Sequence, residues 1–226
     1  MALIDDAYRR VRQSKKRLAD LKLLIESLGQ PQSGIVAVQR KRSDPHQFNY
    51  PMTEPLEDLT PVVSEIVQHL LIALNYLVCA LAESRGRRVD ESLQFPICDA
   101  PKAFKGRVSS ELKGLSKEQV TLIETLQPYK GNDWLRMVRD LANPDKHRHP
   151  IGLSAGPSRI KFHALSHIEA KTPAGQIVFV PDYVKMNYNF GLPIVFTEGR
   201  GPVIETLQML QLKVTDVLDA FKSFFD

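Results

Sequence analysis

The chain has 226 residues, of which 43% are hydrophobic and 25% charged, a composition typical of globular proteins and unlike that of disordered or fibrous ones. Its net charge of +4 is compatible with a nucleic-acid partner but supports one only weakly. The two cysteines, Cys79 and Cys98, form no CxxC pair, which argues against a redox or zinc motif and favours reduced thiols, as in a cytoplasmic protein.

No targeting or membrane segment is evident in the sequence. The first residues are charged and contain no apolar signal segment. The most apolar run, Leu70 to Ala82, is short for a membrane span and is typical of a buried helix. We therefore expect a cytoplasmic protein without a membrane partner.

A first helix is predicted over residues 3–28, because hydrophobic residues recur along it at heptad spacing. The two core positions of the heptad hold Ile4, Val11, Leu18 and Ile25, and Ala7, Ser14, Leu21 and Leu28. The outer face is basic, with no acidic residue among its cations, and is either a solvated helix face or a surface that binds a polyanion. Its basic residues are Arg9, Arg10, Arg12, Lys15, Lys16 and Arg17.

Residues 30–59 are rich in proline, serine, glutamine and charge, and predict a long connection with one short strand at Ile35 to Val38. Connections of this length are often functional.

A second helix is predicted over residues 60–85, with Thr60 as its N-cap and Gly86 as its C-cap. It is apolar nearly all round, which is typical of a central helix. Three polar residues interrupt it, and they predict either a satisfied buried network or a site that faces a cleft. These residues are His69, Asn75 and Tyr76.

Residues 87–115 are predicted to be irregular, with Phe95, Pro96 and Ile97 against the core. The sequence from Ser116 to Gln119 is a capping box and predicts a helix over 117–127. A further helix is predicted over 133–142.

After residue 150 the pattern changes to the alternation of strands, and a β element is predicted at about 159–197. Its four strands are expected at about 160–168, 177–180, 184–190 and 194–197. A last helix over 203–224 carries a clean apolar stripe and is expected to pack on the first helices. The predicted fold is α+β and mainly α. It is a four-helix-type bundle in a single domain, residues 1–226, with a small antiparallel sheet inserted before the C-terminal helix.

The segment from Asn143 to His149 is the strongest candidate for chemistry. It contains a carboxylate, an amine, an imidazole and a guanidinium in four consecutive residues: Asp145, Lys146, His147 and Arg148. A histidine titrates near neutrality and can act as a general acid or base, while the two cations could hold a phosphate. The alternative is structural, since cations near a helix C-terminus favour the helix dipole and aspartate favours turns.

No phosphate-binding loop, dinucleotide fingerprint or hydrolase motif is present, and no cofactor is predicted. His163 and His167 share one face of a predicted strand, but at ~3.3 Å per residue they lie roughly 13 Å apart, too far to bind one metal ion. A small-molecule site between sheet and bundle is another alternative, although its aromatic residues are as typical of a core. Those residues are Trp134, Tyr183 and Tyr188.

The order of short motifs after residue 60 resembles a family of uncharacterised bacterial proteins. The motifs are Gln94-Phe95-Pro96-Ile97, Gly114-Leu115-Ser116, Leu126-Gln127-Pro128-Tyr129 and Leu141-Ala142-Asn143-Pro144-Asp145-Lys146-His147-Arg148. The resemblance covers most of the chain after residue 60 and implies no activity.

More distantly, the chain is similar to the HEPN (higher eukaryote and prokaryote nucleotide-binding) helical bundles. Some of these are ribonucleases in which four to six residues separate an arginine from a histidine. Here Leu71 and Tyr76 stand where that pair would lie in the apolar helix, and seven residues separate Arg139 from His147. The similarity therefore implies the bundle more strongly than the nuclease activity.

The sequence favours a module that binds protein or nucleic acid, and the heptad stripes would also allow a homodimer. The candidate binding residues are Arg139, Asn143, His69, Arg9, Arg10, Arg12 and Lys16. The alternative is a ribonuclease or another phosphate-handling enzyme, with His147 as general acid or base, Lys146 and Arg148 as phosphate clamps, and Asp145 or Asn143 as the orienting group.

Overall fold

The computed structural model describes residues 2–28, 32–37, 39–41, 44–49, 55–142, 151–154, 157–171, 177–190, 194–197 and 199–225. In the strands within 32–49 and 157–190 it describes the backbone and its pairing. The helices are α1 (Ala2–Leu28), α2 (Leu59–Ser84), α3 (Pro101–Glu111), α4 (Lys117–Thr125), α5 (Asp133–Ala142) and α6 (Val203–Ala220). The strands are β1 (Gln32–Ala37), β2 (Gln39–Lys41), β3 (Asp44–Asn49), β4 (Leu153–Ser154), β5 (Pro157–Lys171), β6 (Ile177–Phe190) and β7 (Val195–Phe196). The protein is mainly helical with small antiparallel sheets.

Helix α2 is the central helix, as its composition predicts. It packs against α1, α5 and α6, and side chains along its whole length, such as Leu70, Leu74 and Leu77, are fully buried. By length and composition alone α2 could also cross a membrane, a test that the core helix of a soluble protein also passes.

Helices α1 and α6 lie antiparallel, and their predicted apolar stripes pack against the core. Near the middle of this contact, Gln211 Nε2 donates to Ser14 Oγ at 2.9 Å, and both side chains are buried. Towards the start of α1, Tyr8 donates to Asp219 at 2.6 Å. Helix α6 is shorter than predicted, because a 3₁₀ turn replaces it at Lys222–Phe224.

The start of α2 differs from the predicted one. The helix begins at Leu59, with Asp58 as the N-cap, and the Thr60 hydroxyl donates to the Ile151 carbonyl at 3.2 Å instead of capping the helix. At the other end Arg85 is the C-cap, and Gly86 follows it with a φ of +71°, a conformation that favours glycine.

Helix α3 lies where the sequence predicts irregular structure, and that prediction is wrong for residues 101–111. Only Phe104 of this helix is fully buried, so it lacks the apolar stripe by which helices are recognised. The predicted burial of Phe95, Pro96 and Ile97 is confirmed.

The capping box at the start of α4 is confirmed, since Ser116 and Gln119 each accept the other's backbone N–H. Helix α5 has the bounds that the sequence predicts.

The largest sheet has the order β1-β6-β5 and is antiparallel. Strand β1 contains most of the predicted short strand and comes from the connection between α1 and α2, so the sheet is not purely an insertion before α6. Strands β2 and β3 of that connection were not predicted.

The sequence predicts two strands, separated by a turn at Pro181, over residues 177–190. The structure has a single strand there, β6. Pro181 pairs with His167 next to a shift in the β5–β6 register. A bulge of this kind tolerates a residue that cannot donate a ladder hydrogen bond. Strands β4 and β7 form a separate pair.

Candidate functional site

The candidate site is an open cleft of about 660 Å³ between α1 and α2. Helix α1 contributes side chains three or four residues apart, and α2 contributes side chains on the face beside its contact with α1. The lining residues are Asp6, Arg9, Arg10, Gln13, Lys16, Arg17 and Asp20 from α1, and Glu65, His69 and Tyr76 from α2. The predicted basic face and two of the polar interruptions of the central helix therefore meet at one place.

Arg10 lines the cleft and contacts two neutral groups. Its Nη1 is 3.5 Å from Nδ1 of His69, and its guanidinium carbon is 5.8 Å from the centroid of the Tyr76 ring. The latter is a cation–π distance. No carboxylate of the described residues forms an ion pair with Arg10. Its position is thus defined while its charge is not neutralised.

His69 is mostly buried, with 15% of its side chain exposed. Burial lowers the pKa of His69, the positive charges of Arg10 and Arg17 lower it further, and Glu65 acts in the opposite direction. The imidazole is therefore neutral near pH 7. When Arg10 donates to Nδ1, the ring proton is on Nε2, which lies 3.8 Å from Oε1 of Glu65.

The other arginines of the cleft are paired with acids, and the predicted acid-free face is wrong in this respect. Arg9 lies 2.5 Å from Asp6. Arg17 lies 2.9 Å from Glu65 and 3.3 Å from Asp20. The prediction overlooked acids in neighbouring turns of α1 and could not place the acid of α2.

Three exposed cations of α1 have no carboxylate partner in the part of the chain that the structure describes. They are Arg12, Lys15 and Lys16. Arg12 and Lys16 are four residues apart on one side of α1, and Lys16 also lines the cleft. The outer face of α1 thus continues the positive charge of the cleft onto the surface.

Arg139 belongs to a different cluster, on α5. Its guanidinium donates to Asp99 at 2.7 Å and to Asp140 at 2.9 Å, and Arg136 donates to Asp99 at 2.8 Å. The structure therefore places this predicted binding residue in an ion-pair network and not among the residues that line the cleft. The hydrogen bond from Arg136 holds the pKa of Asp99 below its usual range, with a further contribution from Arg139.

The network predicts a pH-dependent effect of Asp99→Asn. The paired carboxylate stabilises the fold above the unfolded-state pKa of about 3.9, and this contribution is lost as the pH falls through the lower folded-state pKa. The substitution should therefore lower the urea midpoint at pH 7 and have little effect in strong acid. Asp216→Asn, at an exposed position of α6, is the matched control. A difference between wild type and Asp99→Asn that stays constant with pH would contradict this role.

The predicted catalytic residues Asp145, Lys146, His147 and Arg148, and the binding candidate Asn143, lie outside the described residues. The described residues on either side of this segment, Ala142 and Ile151, are hydrogen-bonded to α2. Gln68 Nε2 donates to the carbonyl of Ala142, and Thr60 donates to that of Ile151. Gln68 precedes His69 in α2, so the chain leaves α5 beside the helix that carries the cleft histidine.

The third polar interruption of α2 is structural. Asn75 accepts the backbone N–H of Phe95 at 2.9 Å. The sequence predicts that Tyr76 belongs either to a buried network or to a site that faces a cleft, and it does not single out Glu65; both residues line the cleft. The spacing of Glu65, His69 and Tyr76, at i, i+4 and i+11, is the signal that would have placed them on one face of the helix.

The small-molecule alternative gains no support from the described residues. The indole N–H of Trp134 donates to Asn132 at 3.4 Å. The side chains of Tyr183 and Tyr188 lie outside the described part of the chain.

No family model matches this chain, and no curated protein or solved structure matches it either. The function therefore has to be inferred from the chemistry of the cleft and of the α1 surface.

Proposed function

We propose that this protein is a non-catalytic module that binds RNA along α1 in the cytoplasm, built on a four-helix bundle similar to the HEPN proteins. The observation that carries the proposal is the uncompensated positive charge of α1. Arg10 in the cleft, and Arg12, Lys15 and Lys16 on the adjacent surface, have no carboxylate partner among the described residues. Cations of this kind attract the phosphate backbone and release its counterions.

The packing of α1, α2, α5 and α6 supports the bundle. Helix α2 packs against α1, α5 and α6, and α6 also contacts α1 and α5. Helices α1 and α6 use their heptad faces within the chain, so a homodimer would need another surface.

Charge favours RNA over a protein partner. The large exposed hydrophobic residues of the described chain are few, and they are divided between α1, α6 and the segment that joins α2 to α3, whereas a contiguous apolar patch marks a protein interface. They are Leu23, Leu24, Val89 and Leu212. The cationic side of α1 is the more distinctive surface.

RNA binding should depend on the unpaired cations of α1. The double variant Arg12→Gln/Lys16→Gln is expected to bind a fluorescently labelled RNA several-fold more weakly at low salt. Each phosphate contact contributes about 0.7 to the slope of log K against log salt for single strands, so the slope should fall by about 1.4. Fluorescence anisotropy across a salt series measures both quantities.

The matched control removes two exposed cations from α3, as Lys102→Gln/Lys105→Gln. We expect this variant to bind RNA like wild type. Equal weakening by the two double variants would show that only net charge matters, and absence of RNA binding by wild type would overturn the proposal.

A ribonuclease that uses Asp145, Lys146, His147 and Arg148 is the second candidate. It is favoured by the hydrogen bond that holds Ala142 against Gln68, next to the neutral His69. The same RNA, analysed for its length after incubation, separates the two candidates. Cleavage that His147→Ala abolishes would establish the enzyme, whereas intact RNA supports the binding module.

A further inference from the structure

Arg10 differs from the other arginines of the cleft in its partners. Arg9 and Arg17 each pair with at least one carboxylate, at 2.5 Å and 2.9 Å respectively. Within residues 2–28 and 55–142, Arg10 contacts only neutral groups, the His69 imidazole and the Tyr76 ring. A guanidinium has five N–H donors in a planar fork, and the contact with His69 uses one of its nitrogens. The remaining donors suit an oxyanion.

The position of Arg10 is determined before a ligand arrives. Since His69 is neutral, it accepts a hydrogen bond from Arg10 without neutralising its charge, and the Tyr76 ring lies 5.8 Å from the guanidinium carbon. A side chain that is already ordered loses less conformational entropy when it binds. This arrangement favours bidentate recognition of a planar or tetrahedral anion.

The acids around Arg10 are paired with the other arginines of the cleft, which leaves little free positive charge for a ligand. Asp6 lies one helical turn away on α1, Asp20 lies further along the same helix, and Glu65 faces them from α2. Asp6 pairs with Arg9, and Asp20 and Glu65 pair with Arg17. Arg10 and Lys16 are therefore the lining cations without a carboxylate partner among the described residues, a charge that matches one dianionic group. A phosphate monoester concentrates −1.5 to −2 charges at pH 7 on one group, about twice the charge of a single phosphodiester.

We infer that the cleft between α1 and α2 is a binding site for a phosphate monoester, with Arg10 as its anion ligand and His69 and Tyr76 as positioning residues. The volume of about 660 Å³ is that of a site for a small ligand. The inference deepens the RNA-binding proposal, because a 5′-phosphorylated RNA end is one source of the monoester. A free sugar phosphate is the other, and the cleft carboxylates can accept hydrogen bonds from its hydroxyl groups.

The test uses the full-length protein with two RNAs of the same sequence, one with a 5′-phosphate and one with a 5′-hydroxyl. We expect the phosphorylated RNA to bind about tenfold more tightly, the effect of one charge-assisted pair. Ribose 5-phosphate should compete with it, and ribose should not. Arg10→Lys keeps the charge but loses the planar fork, and should abolish the preference. Lys15→Gln, at an exposed position of α1 that does not line the cleft, should weaken both RNAs equally and leave the preference intact.

A second pair of variants tests the positioning role. Tyr76→Leu should reduce the preference for the 5′-phosphate while general RNA binding remains, and Tyr76→Phe should restore it because the ring is kept. Thermal unfolding and circular dichroism confirm that each variant is folded. A preference that survives Arg10→Lys would overturn the assignment to this cleft.

Failure of this inference and failure of RNA binding give different results. RNA binding without a 5′ preference and without competition by ribose 5-phosphate overturns the monoester site and leaves the RNA-binding module standing. Binding of ribose 5-phosphate that depends on Arg10, without RNA binding, supports the site and overturns the module. No binding of either overturns both.

Discussion

Replacing Leu74 by alanine is expected to lower the free energy of unfolding by about 2–5 kcal/mol. Leu74 is fully buried in the middle of α2, the helix that packs against α1, α5 and α6. The loss combines the transfer energy of the deleted methyl and methylene groups with the cavity that a close-packed core cannot refill. The midpoint of urea unfolding, followed by circular dichroism, measures the change.

Leu23→Ala is the control for this substitution. The chemical change is the same, but Leu23 is 66% exposed on α1, so we expect a change of at most about 0.5 kcal/mol. If both variants lost the same small amount of stability, α2 would not be the centre of the core.

Replacing Gln127 by leucine should have an effect of similar size through hydrogen bonding. Gln127 is fully buried just after α4, where its carbonyl oxygen accepts the Cys98 N–H at 2.9 Å and its amide donates to the Pro96 carbonyl at 2.9 Å. Leucine has a similar volume, so little cavity is created. The two backbone groups lose their partners, and each buried unpaired group costs about 1–3 kcal/mol. We therefore expect a loss of about 2–5 kcal/mol.

Gln94→Leu is the matched control, because Gln94 is exposed and its amide forms one long contact, at 3.5 Å to the Glu91 carbonyl. This change should cost at most about 0.5 kcal/mol. A neutral Gln127→Leu variant would mean that residues 96–98 find other partners for their backbone groups.

The helices with a clear apolar stripe could be predicted from the sequence, and α3 could not. The stripe of α1, from Val11 to Ile25, faces a core and leaves a heptad signal, whereas the short α3 buries only Phe104 completely. The pairing of the strands also could not be predicted from the sequence. The pairing of β1 with β6 depends on residues about 150 positions apart, and no local pattern in β1 identifies its partner.

The individual residues of the cleft could be singled out from the sequence, but their arrangement around Arg10 could not. The basic residues of α1 and the polar residues His69 and Tyr76 stood out as departures from simple patterns. Their meeting at Arg10 depends on the rotation of α2 against α1, which core packing determines. For the same reason, the pairing of Arg17 with Glu65 could not be read from either helix alone.

The contact between the first and last helices has a consequence for synthesis of the protein on the ribosome. The Ser14–Gln211 hydrogen bond joins residues 197 positions apart. At 5–20 residues per second, the ribosome needs about 10–40 s to make the intervening chain. During this interval the face of α1 that later covers α6 has no partner and is open to aggregation or to a chaperone. Synthesis of α6 is therefore the step that allows the bundle to close.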